Sequence, residues 1–544
     1  MGEHQRRAAA NLVAHADALQ LNGQLAQAAT QLESACRLRP DDAGAWERLG
    51  IVQQSLGDAD AALHAYRRAG HLAPHGSARL KLATLVSPII ESRESMLGER
   101  ARIAAEIDSL RGDDSLHIDD PMQGAPWTQF YLAFHGENDR ALQSQFATLY
   151  RRVCPSLEYV APHCAQPRSP KDRLRSPKDR LRIGLISKFL CNHSIGRSSR
   201  GLFAGFERDE FEVTAIFVAP AIDDDYSRFI REHAERHIVV PEDLPEARRM
   251  IAALQLDVLF YQDIGMEPFT YFLAFSRLAR VQCVSFGHPD TTGIPAMDYF
   301  VSNDLYESPA ASAHYSEALF LLHDLGSLAY YYPPTMPQPL KSRAAFELAD
   351  DDHLYLCPQN LFKFHPDMDA LLAGILRADT RGRLVLIEGR IGSWTERMRR
   401  RLAARMPDVA ERIVFLPRQG SADYVNLITL ADVMLDTVHF NGMNTSLEAL
   451  AVGTPVVTLP GEFQRGRHTY AMYRKMGMTE CIASDGGHYV DLAVRLGTDR
   501  AYRRQMHEKI LARNEVLFED MRVVREFERF FREAVRRSET QHAQ

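Results

Sequence analysis

The sequence predicts an all-α repeat layer followed by two doubly wound α/β domains, and three observations carry that prediction. Small residues and prolines recur at a spacing of 34 near the start of the chain. Over the remainder, two sets of short β-rich runs alternate with helical stretches. A proline-rich segment, YYYPPTMPQPLKS at 330–342, separates the two sets.

The repeat comes first. Gly23 and Gly57, Ala28 and Ala62, Ala35 and Ala69, and Pro40 and Pro74 each stand 34 residues apart, the period of the tetratricopeptide unit. In such a unit small residues let two antiparallel helices approach closely and the proline ends the second helix. Two clear units are fewer than a solenoid needs, so the amphipathic segments after Ala78 are expected to continue the layer, with Trp127, Phe130, Tyr131, Leu132 and Phe134 fastening it to the α/β domains. The expected divisions are repeats over 1–80, a helical continuation over 81–165, and a basic linker over 166–181 in which RSPKDRL occurs twice. A first Rossmann-like domain is expected over 182–335 and a second over 336–544, closed by long helices from Arg500 to Arg537. The strands expected in the first are RIGLIS, FEVTAIFV, RHIVV, LDVLFYQD, VQCVSFG and DYFVSN. Those in the second are HLYLCPQN, RLVLIEG, RIVFLP, DVMLDT, TPVVTLPG and ECIAS.

Composition excludes several classes. A net charge of −7 over 64 basic and 71 acidic residues carries no nucleic-acid signature. Seven scattered cysteines without a CxxC pair indicate neither a disulfide framework nor a zinc site. No signal-peptide core and no apolar run of membrane-spanning length is found, so a cytoplasmic protein is expected. Walker, GxGxxG and GxSxG motifs are missing, which removes the main support for NTP hydrolysis, dinucleotide redox chemistry and α/β-hydrolase chemistry. Two Asp-x-Asp pairs, Asp223 with Asp225 and Asp367 with Asp369, read as loop solvation and helix N-terminal charge respectively.

The richest segment is DTVHFNGMNTSLEALAVGTPVVTLPGE, from Asp436 to Glu462. A buried strand ends at Asp436, a loop carries Asn441 and Gly442, and Asn444, Thr445 and Ser446 open a helix that carries Glu448. Taken alone, Asn444 is an ordinary helix cap. Taken together, the free amides of a helix start suit a phosphate and the following carboxylate suits a ribose, at strand ends where parallel sheets bind ligands. CPQNLFKFHPDMD brings Lys363, which can neutralise a diphosphate. KFLCNHSIGRSSRGLF places Asn192, His193, Ser194 and Arg197 beyond the first strand of the first domain, where a histidine can serve as acid, base or sugar-positioning donor. SFGHPDTTGIPAMDY adds His288, Thr291 and Thr292 in a glycine-bounded loop.

On these segments the chain resembles glycosyltransferase family 41, the tetratricopeptide-containing protein O-GlcNAc transferases and SPINDLY-like proteins with their bacterial relatives. The resemblance runs from the repeats through Arg537. It rests on LRIGLISKFLCNHSIGR, VQCVSFGHPDTTGIPAMDYFVSN, HYSEALFLL, QNLFKFHPD, ADVMLDTVHFNGMNTSLEALAVGTPVVTLPGE and RKMGM followed by VRLGTD. It implies a GT-B fold, a UDP-sugar donor, inversion at the anomeric carbon, and neither metal nor other cofactor. It implies Lys363 on the diphosphate, Glu448 on the ribose, Asn444 and Thr445 at the phosphate, His193 in the active site, Arg467 after the PGE turn, and Tyr424 stacked on the base. Gln359, Asn360, Arg418, Asn441, Gly442 and Met443 complete the expected donor site. His288 is expected at the chemistry, and Asn192, Arg197, Thr291 and Thr292 at the acceptor or sugar.

The chain departs from the family at one telling place. Animal members read His-Thr-Thr-Gly-Met-Asp where this chain has Met443 to Glu448. The GHPDTTG and DIGMEPFTYFLAFSRLA loops look closer to the adhesin N-glucosyltransferases of the same family. The expected activity is therefore transfer of GlcNAc or glucose from a UDP-sugar to Ser/Thr or Asn side chains of a protein or peptide held by the repeats. The alternatives are a catalytically impaired peptide-binding scaffold, or a transferase using GDP-fucose or a non-protein acceptor.

Overall fold

In the computed structural model, residues 3–125, 127–165 and 180–541 are described; the duplicated RSPKDRL segment lies almost wholly outside them. The repeats form two helical hairpins, Glu3–Leu21 with Leu25–Leu38 and Ala43–Ser55 with Ala59–Leu72. Gly23 and Gly57, one period apart, take positive φ of 74° and 78° at the two hairpin turns, a conformation that costs glycine little. Gly50 faces the Tyr66 ring so closely that a side chain there would overlap it. The 34-residue spacing thus marks the turns and the close helix contacts.

The helical layer does not stop at the repeats. Helices Arg93–Arg111 and Arg140–Val153 bury Ile103, Ile107, Phe146 and Leu149 in one core with Ile186, Ile216 and Leu259 of the first sheet. On the other side the second hairpin meets the second domain. Ser393 Oγ donates to the Leu56 carbonyl at 2.6 Å and Arg397 pairs with Asp58 at 3.0 Å.

Two all-parallel sheets come next, as in a GT-B protein. The first contains β1 (Leu181–Ser187), β2 (Phe211–Val218), β3 (Arg236–Val240), β4 (Val258–Tyr261), β5 (Val281–Val284), β6 (Tyr299–Asn303) and β7 (Ala318–Leu322) in the order β3-β2-β1-β4-β5-β6-β7. The second contains β8 (His353–Cys357), β9 (Gly382–Ile387), β10 (Ile413–Leu416), β11 (Val433–Leu435) and β12 (Val456–Val457) in the order β10-β9-β8-β11-β12. Apolar runs form the strands because helices cover both faces, so the alternation of a half-exposed strand is not needed. Two expectations are corrected. ECIAS makes only a single bridge, Thr458 to Ile482, and no strand, whereas ALFLL supplies β7 at the sheet edge, half-exposed and alternating.

In each sheet the order reverses between two neighbouring strands, β1 and β4 in the first, β8 and β11 in the second. Ligands of open α/β sheets bind at such switch points, beyond the carboxyl ends of the strands. The last helix, Met521–Gln541, returns to the first sheet, where Val523, Val524, Phe527, Phe530 and Phe531 pack with Ile183, Phe260 and Val281. It therefore belongs to the core of the first domain, although it lies after the second in sequence. No helix among the described residues is long and apolar enough to cross a membrane.

Candidate functional site

A cavity of about 360 Å³ opens where the two switch points face each other. The first domain contributes His193, Ser194, Ile195 and Ser198 after β1, Met266 after β4, and Phe286 to Pro289 after β5. The second contributes Pro358 to Asn360, Phe362 and Lys363 after β8, Phe440, Asn441 and Met443 to Thr445 after β11, and His468.

Lys363 ends a short 3₁₀ turn, Leu361–Lys363. Its Nζ donates to Gln359 Oε1 at 2.9 Å and to the Asn441 carbonyl at 3.2 Å, and lies 4.8 Å from the centre of the Phe440 ring. Gln359 in turn donates to Thr445 Oγ1 at 2.8 Å. One relay therefore joins the cation to the start of the helix Asn444–Ala451. Burial lowers the Lys363 pKa to about 8, against the pull of Asp436, so the ammonium is largely retained at neutral pH. Asp436 is itself pushed up to about 6 by burial, and its carboxylate accepts from the Gly442 amide at 2.8 Å and from Thr458 Oγ1 at 2.9 Å. Gly442 has no room for a side chain, because a Cβ there would overlap Thr445 Oγ1 and Gln359 Nε2.

The helix start differs from expectation in one respect. Met443 takes the cap position with no side-chain hydrogen bond, and Asn444 is the first residue inside the helix. The Asn444 side chain instead spans the cleft, donating to the Ser194 carbonyl at 3.0 Å.

Three histidines face the cavity, all held neutral by burial. His193 stacks on Phe189 with centroids 4.5 Å apart, and its Nδ1 accepts the Ile195 amide at 3.3 Å. That bond puts the ring proton on Nε2, so the ring offers a donor; burial and Arg197 lower its pKa to about 4. His288 stacks on Phe130 at 4.9 Å and is likewise lowered to about 4. His468 was not expected. It opens the helix His468–Lys475 and reaches the cavity only because the loop after β12 folds back against the Asn441 loop, where the Asn441 amide donates to the Arg465 carbonyl at 2.6 Å. The RGRHTY stretch after the PGE turn carried the signal, a polar helix start beside a ligand loop.

Several expected site residues lie elsewhere. Thr291 and Thr292 are buried and turned to Glu317, which accepts from the Thr291 hydroxyl at 2.7 Å, from the Thr292 amide at 2.8 Å and from the Thr292 hydroxyl. They fix the loop and do not line the cavity. Tyr424 packs on the core of the second domain with its hydroxyl buried and unpartnered, and Arg418 is exposed beyond β10. Arg467 donates to the Gly461 carbonyl at 3.1 Å and lies over Tyr470. Glu448 is 4% exposed and accepts from Arg197 at 2.9 Å and from the Tyr331 hydroxyl at 3.4 Å. Arg197 also donates to Asn192 Oδ1 at 3.1 Å.

The helical layer completes the wall. Phe130 and Phe134 line the cavity from the 3₁₀ segment Phe130–Phe134, with Phe134 4.5 Å from Phe440 and 4.8 Å from Phe362. Behind them Arg465 pairs with Asp139 at 2.9 Å and Asp290 at 3.4 Å, joining all three parts of the chain.

Neither Asp-x-Asp pair reaches the cavity. Asp223 pairs with Arg228 and Arg231, and Asp369 with Arg401. Among the described residues the cluster with metal-ligand composition is His365, Asp367 and His439. It lies outside the cavity wall, where Asp367 accepts from His439 at 2.9 Å and also faces Arg93 at 3.6 Å. The cavity itself carries one cation, three imidazoles, small polar groups and a helix start, an arrangement suited to a diphosphate.

Comparisons with known proteins agree. Residues 334–525 match the family described as Glycosyl transferase family 41. A probable UDP-N-acetylglucosamine–peptide N-acetylglucosaminyltransferase SEC of Arabidopsis thaliana is 23% identical over 452 residues, covering 80% of this chain and 45% of that protein. A UDP-N-acetylglucosamine–peptide N-acetylglucosaminyltransferase of Caenorhabditis elegans is 33% identical over 171 residues, 31% of this chain and 15% of that one. The chain thus spans less than half the length of these curated relatives. A solved O-GlcNAc transferase of Thermobaculum terrenum, a lysine-to-methionine mutant, superposes with a TM-score of 0.70 at 25% identity over the full length of both chains.

Proposed function

We propose that the chain, whose residues 334–525 match glycosyltransferase family 41 and which superposes on a solved O-GlcNAc transferase, is a glycosyltransferase of that type and moves GlcNAc or glucose from a UDP-sugar to a Ser, Thr or Asn side chain of a protein. The observation that carries this reading is the relay from Lys363 through Gln359 to Thr445 at the helix start, set into a cavity at two facing switch points. Charge grows on the leaving diphosphate as the glycosidic bond breaks, and preorganised donors aimed at it are the strongest lever such a site has. Lys363 supplies the positive charge, so the reaction is proposed to run without a metal. His193 offers Nε2–H to the sugar or the acceptor and positions it. His288, whose ring also faces the cavity, is the group we assign to the acceptor's proton. The repeats and the helical layer are proposed to guide the acceptor, since their aromatic edge forms part of the cavity wall.

The scaffold alternative loses its footing, because the substitution at Met443 leaves Lys363, Gln359 and Thr445 hydrogen-bonded to one another. The test is incubation of the protein with a peptide library and a panel of UDP- and GDP-sugars, followed by mass spectrometry. A hexose or N-acetylhexosamine mass added to Ser, Thr or Asn from a UDP-sugar is expected. Transfer only from GDP-fucose, or only to non-protein acceptors, overturns the reading.

A further inference from the structure

Of the three histidines that face the cavity, His468 is the one that the family pattern does not account for. It is 2% exposed, and its ring meets Tyr306 edge-on with centroids at 4.8 Å, which fixes its plane. Nδ1 is sealed from solvent and has no hydrogen-bond partner, so the part of the ring that reaches the cavity is the edge carrying Nε2. A buried N–H without an acceptor is rarer and less tolerated than a buried lone pair without a donor. The proton accordingly sits on Nε2. Burial first, and Lys363 second, hold the imidazole neutral by lowering its pKa to about 3. Lys363 is thus near enough to be felt at His468.

Met443 gives the other half of the argument. At the cap of the helix that begins at Asn444 it makes no side-chain hydrogen bond, and it lines the cavity with a thioether where animal members of the family carry a histidine. An anion bound at Lys363 and Thr445 would meet an apolar side chain on that flank. His468 lines the same cavity as Met443 with an N–H to offer.

We propose that His468 is a donor-binding residue whose Nε2–H hydrogen-bonds the terminal phosphate of a nucleoside diphosphate held by Lys363, supplying the donor that Met443 lacks. The assignment rests on the UDP-sugar reading and adds to it a second-domain histidine displaced from the helix start to the following one. It also accounts for how the helix start tolerates methionine. The bond is one donor to a charged acceptor, a class that binds more strongly than a neutral pair.

The test is calorimetric titration of the full chain with UDP and with UMP, which lacks the terminal phosphate. His468→Leu is expected to weaken UDP binding about tenfold or more, as losing one charge-assisted bond does, and to leave UMP binding within twofold of wild type. His468→Gln, which keeps an N–H within reach, is expected to stay within about threefold for UDP. Met443→His in the His468→Leu background is expected to recover most of the loss. Equal weakening of UDP and UMP, or wild-type UDP affinity in His468→Leu, overturns the proposal. Should the leucine variant fail to fold, a tenfold loss of UDP affinity in a folded His468→Gln protein does the same. A wild-type chain that binds neither UDP nor GDP overturns the donor reading, and this assignment with it.

Discussion

Arg197, in the helix after β1, donates to Glu448, in the helix after β11, at 2.9 Å across the cleft between the two sheets. The two residues are 251 apart in sequence, and Tyr331 of the hinge segment joins them on the same carboxylate oxygen. The group that the family pattern assigns to the ribose is thereby also the anchor of one domain on the other. Burial raises the Glu448 pKa and Arg197 opposes the rise, so removing the arginine leaves a desolvated carboxylate behind.

Arg197→Ala is therefore expected to destabilise the protein by about 2 kcal/mol, less than the roughly 3–5 kcal/mol of a fully buried broken pair because the guanidinium is partly exposed. Chemical denaturation of the full chain reads this directly. The same variant is expected to raise the donor KM several-fold with a smaller change in kcat, because Glu448 loses the partner that orients it and favours its charged form. An unchanged KM would separate Glu448 from the ribose.

Lys363 is expected to set the pH dependence of donor binding. Its folded pKa lies below the usual lysine value, at about 8, and a bound diphosphate favours the charged form and raises it. Binding is thus coupled to proton uptake between the free and bound pKa values. UDP affinity is expected to be flat between about pH 6.5, above the second pKa of its terminal phosphate, and about pH 7.5, and to fall through pH 8 and above by up to a decade per pH unit. Lys363→Met is expected to bind UDP weakly with no such slope and to lose about 10²- to 10³-fold in turnover. A pH-independent wild type would remove Lys363 from the diphosphate.

Gly442→Ala is expected to reduce UDP affinity by about tenfold or more with little loss of fold. The new methyl group would overlap Thr445 Oγ1 and Gln359 Nε2 and break the relay to Lys363, where a hydrogen bond to a charged partner is worth about 1.5–3 kcal/mol. Thermal unfolding with and without UDP distinguishes the two effects, since a ligand stabilises only a fold that still binds it.

Arg465→Leu tests the junction behind the cavity. The guanidinium sits between the Asp139 and Asp290 carboxylates and also donates to the Glu137 carbonyl at 2.6 Å. Its removal leaves two buried carboxylates facing each other, with Arg100 at 2.6 Å remaining for Asp139. A loss of about 3–5 kcal/mol is expected in denaturant unfolding. A variant as stable as wild type would show that the junction contributes nothing to holding the parts together.

Much of this is legible in the sequence, and the exceptions share a cause. FEVTAIFV and LDVLFYQD are apolar enough to announce strands covered on both faces, and Lys363, Gln359, Asn441 and Thr445 come after strands that local pattern identifies. The far partner is the piece that local pattern does not supply. Thr291 and Thr292 read as ligand groups until Glu317, 25 or more residues on, claims their hydroxyls. His468 reads as an ordinary helix start until the loop before it folds back on Asn441. Tyr424 stands at the position where the family pattern puts a side chain over the base, yet its ring packs against the core of its own domain. β7, ALFLL, is apolar throughout, but it lies at the sheet edge with Ala318 exposed, and a short apolar run alone does not tell an edge strand from a buried helix turn.

The aromatic pair Phe130 and Phe134 constrains how such a protein can evolve. Because the last segment of the helical layer supplies part of the cavity wall, swapping or respacing that end of the array would displace the wall itself. New units can be added or exchanged only at the distal end. On the proposed function, acceptor range would then drift through outer repeats while the inner end keeps the cavity wall in place, a division of labour between a variable reach and an invariant grip.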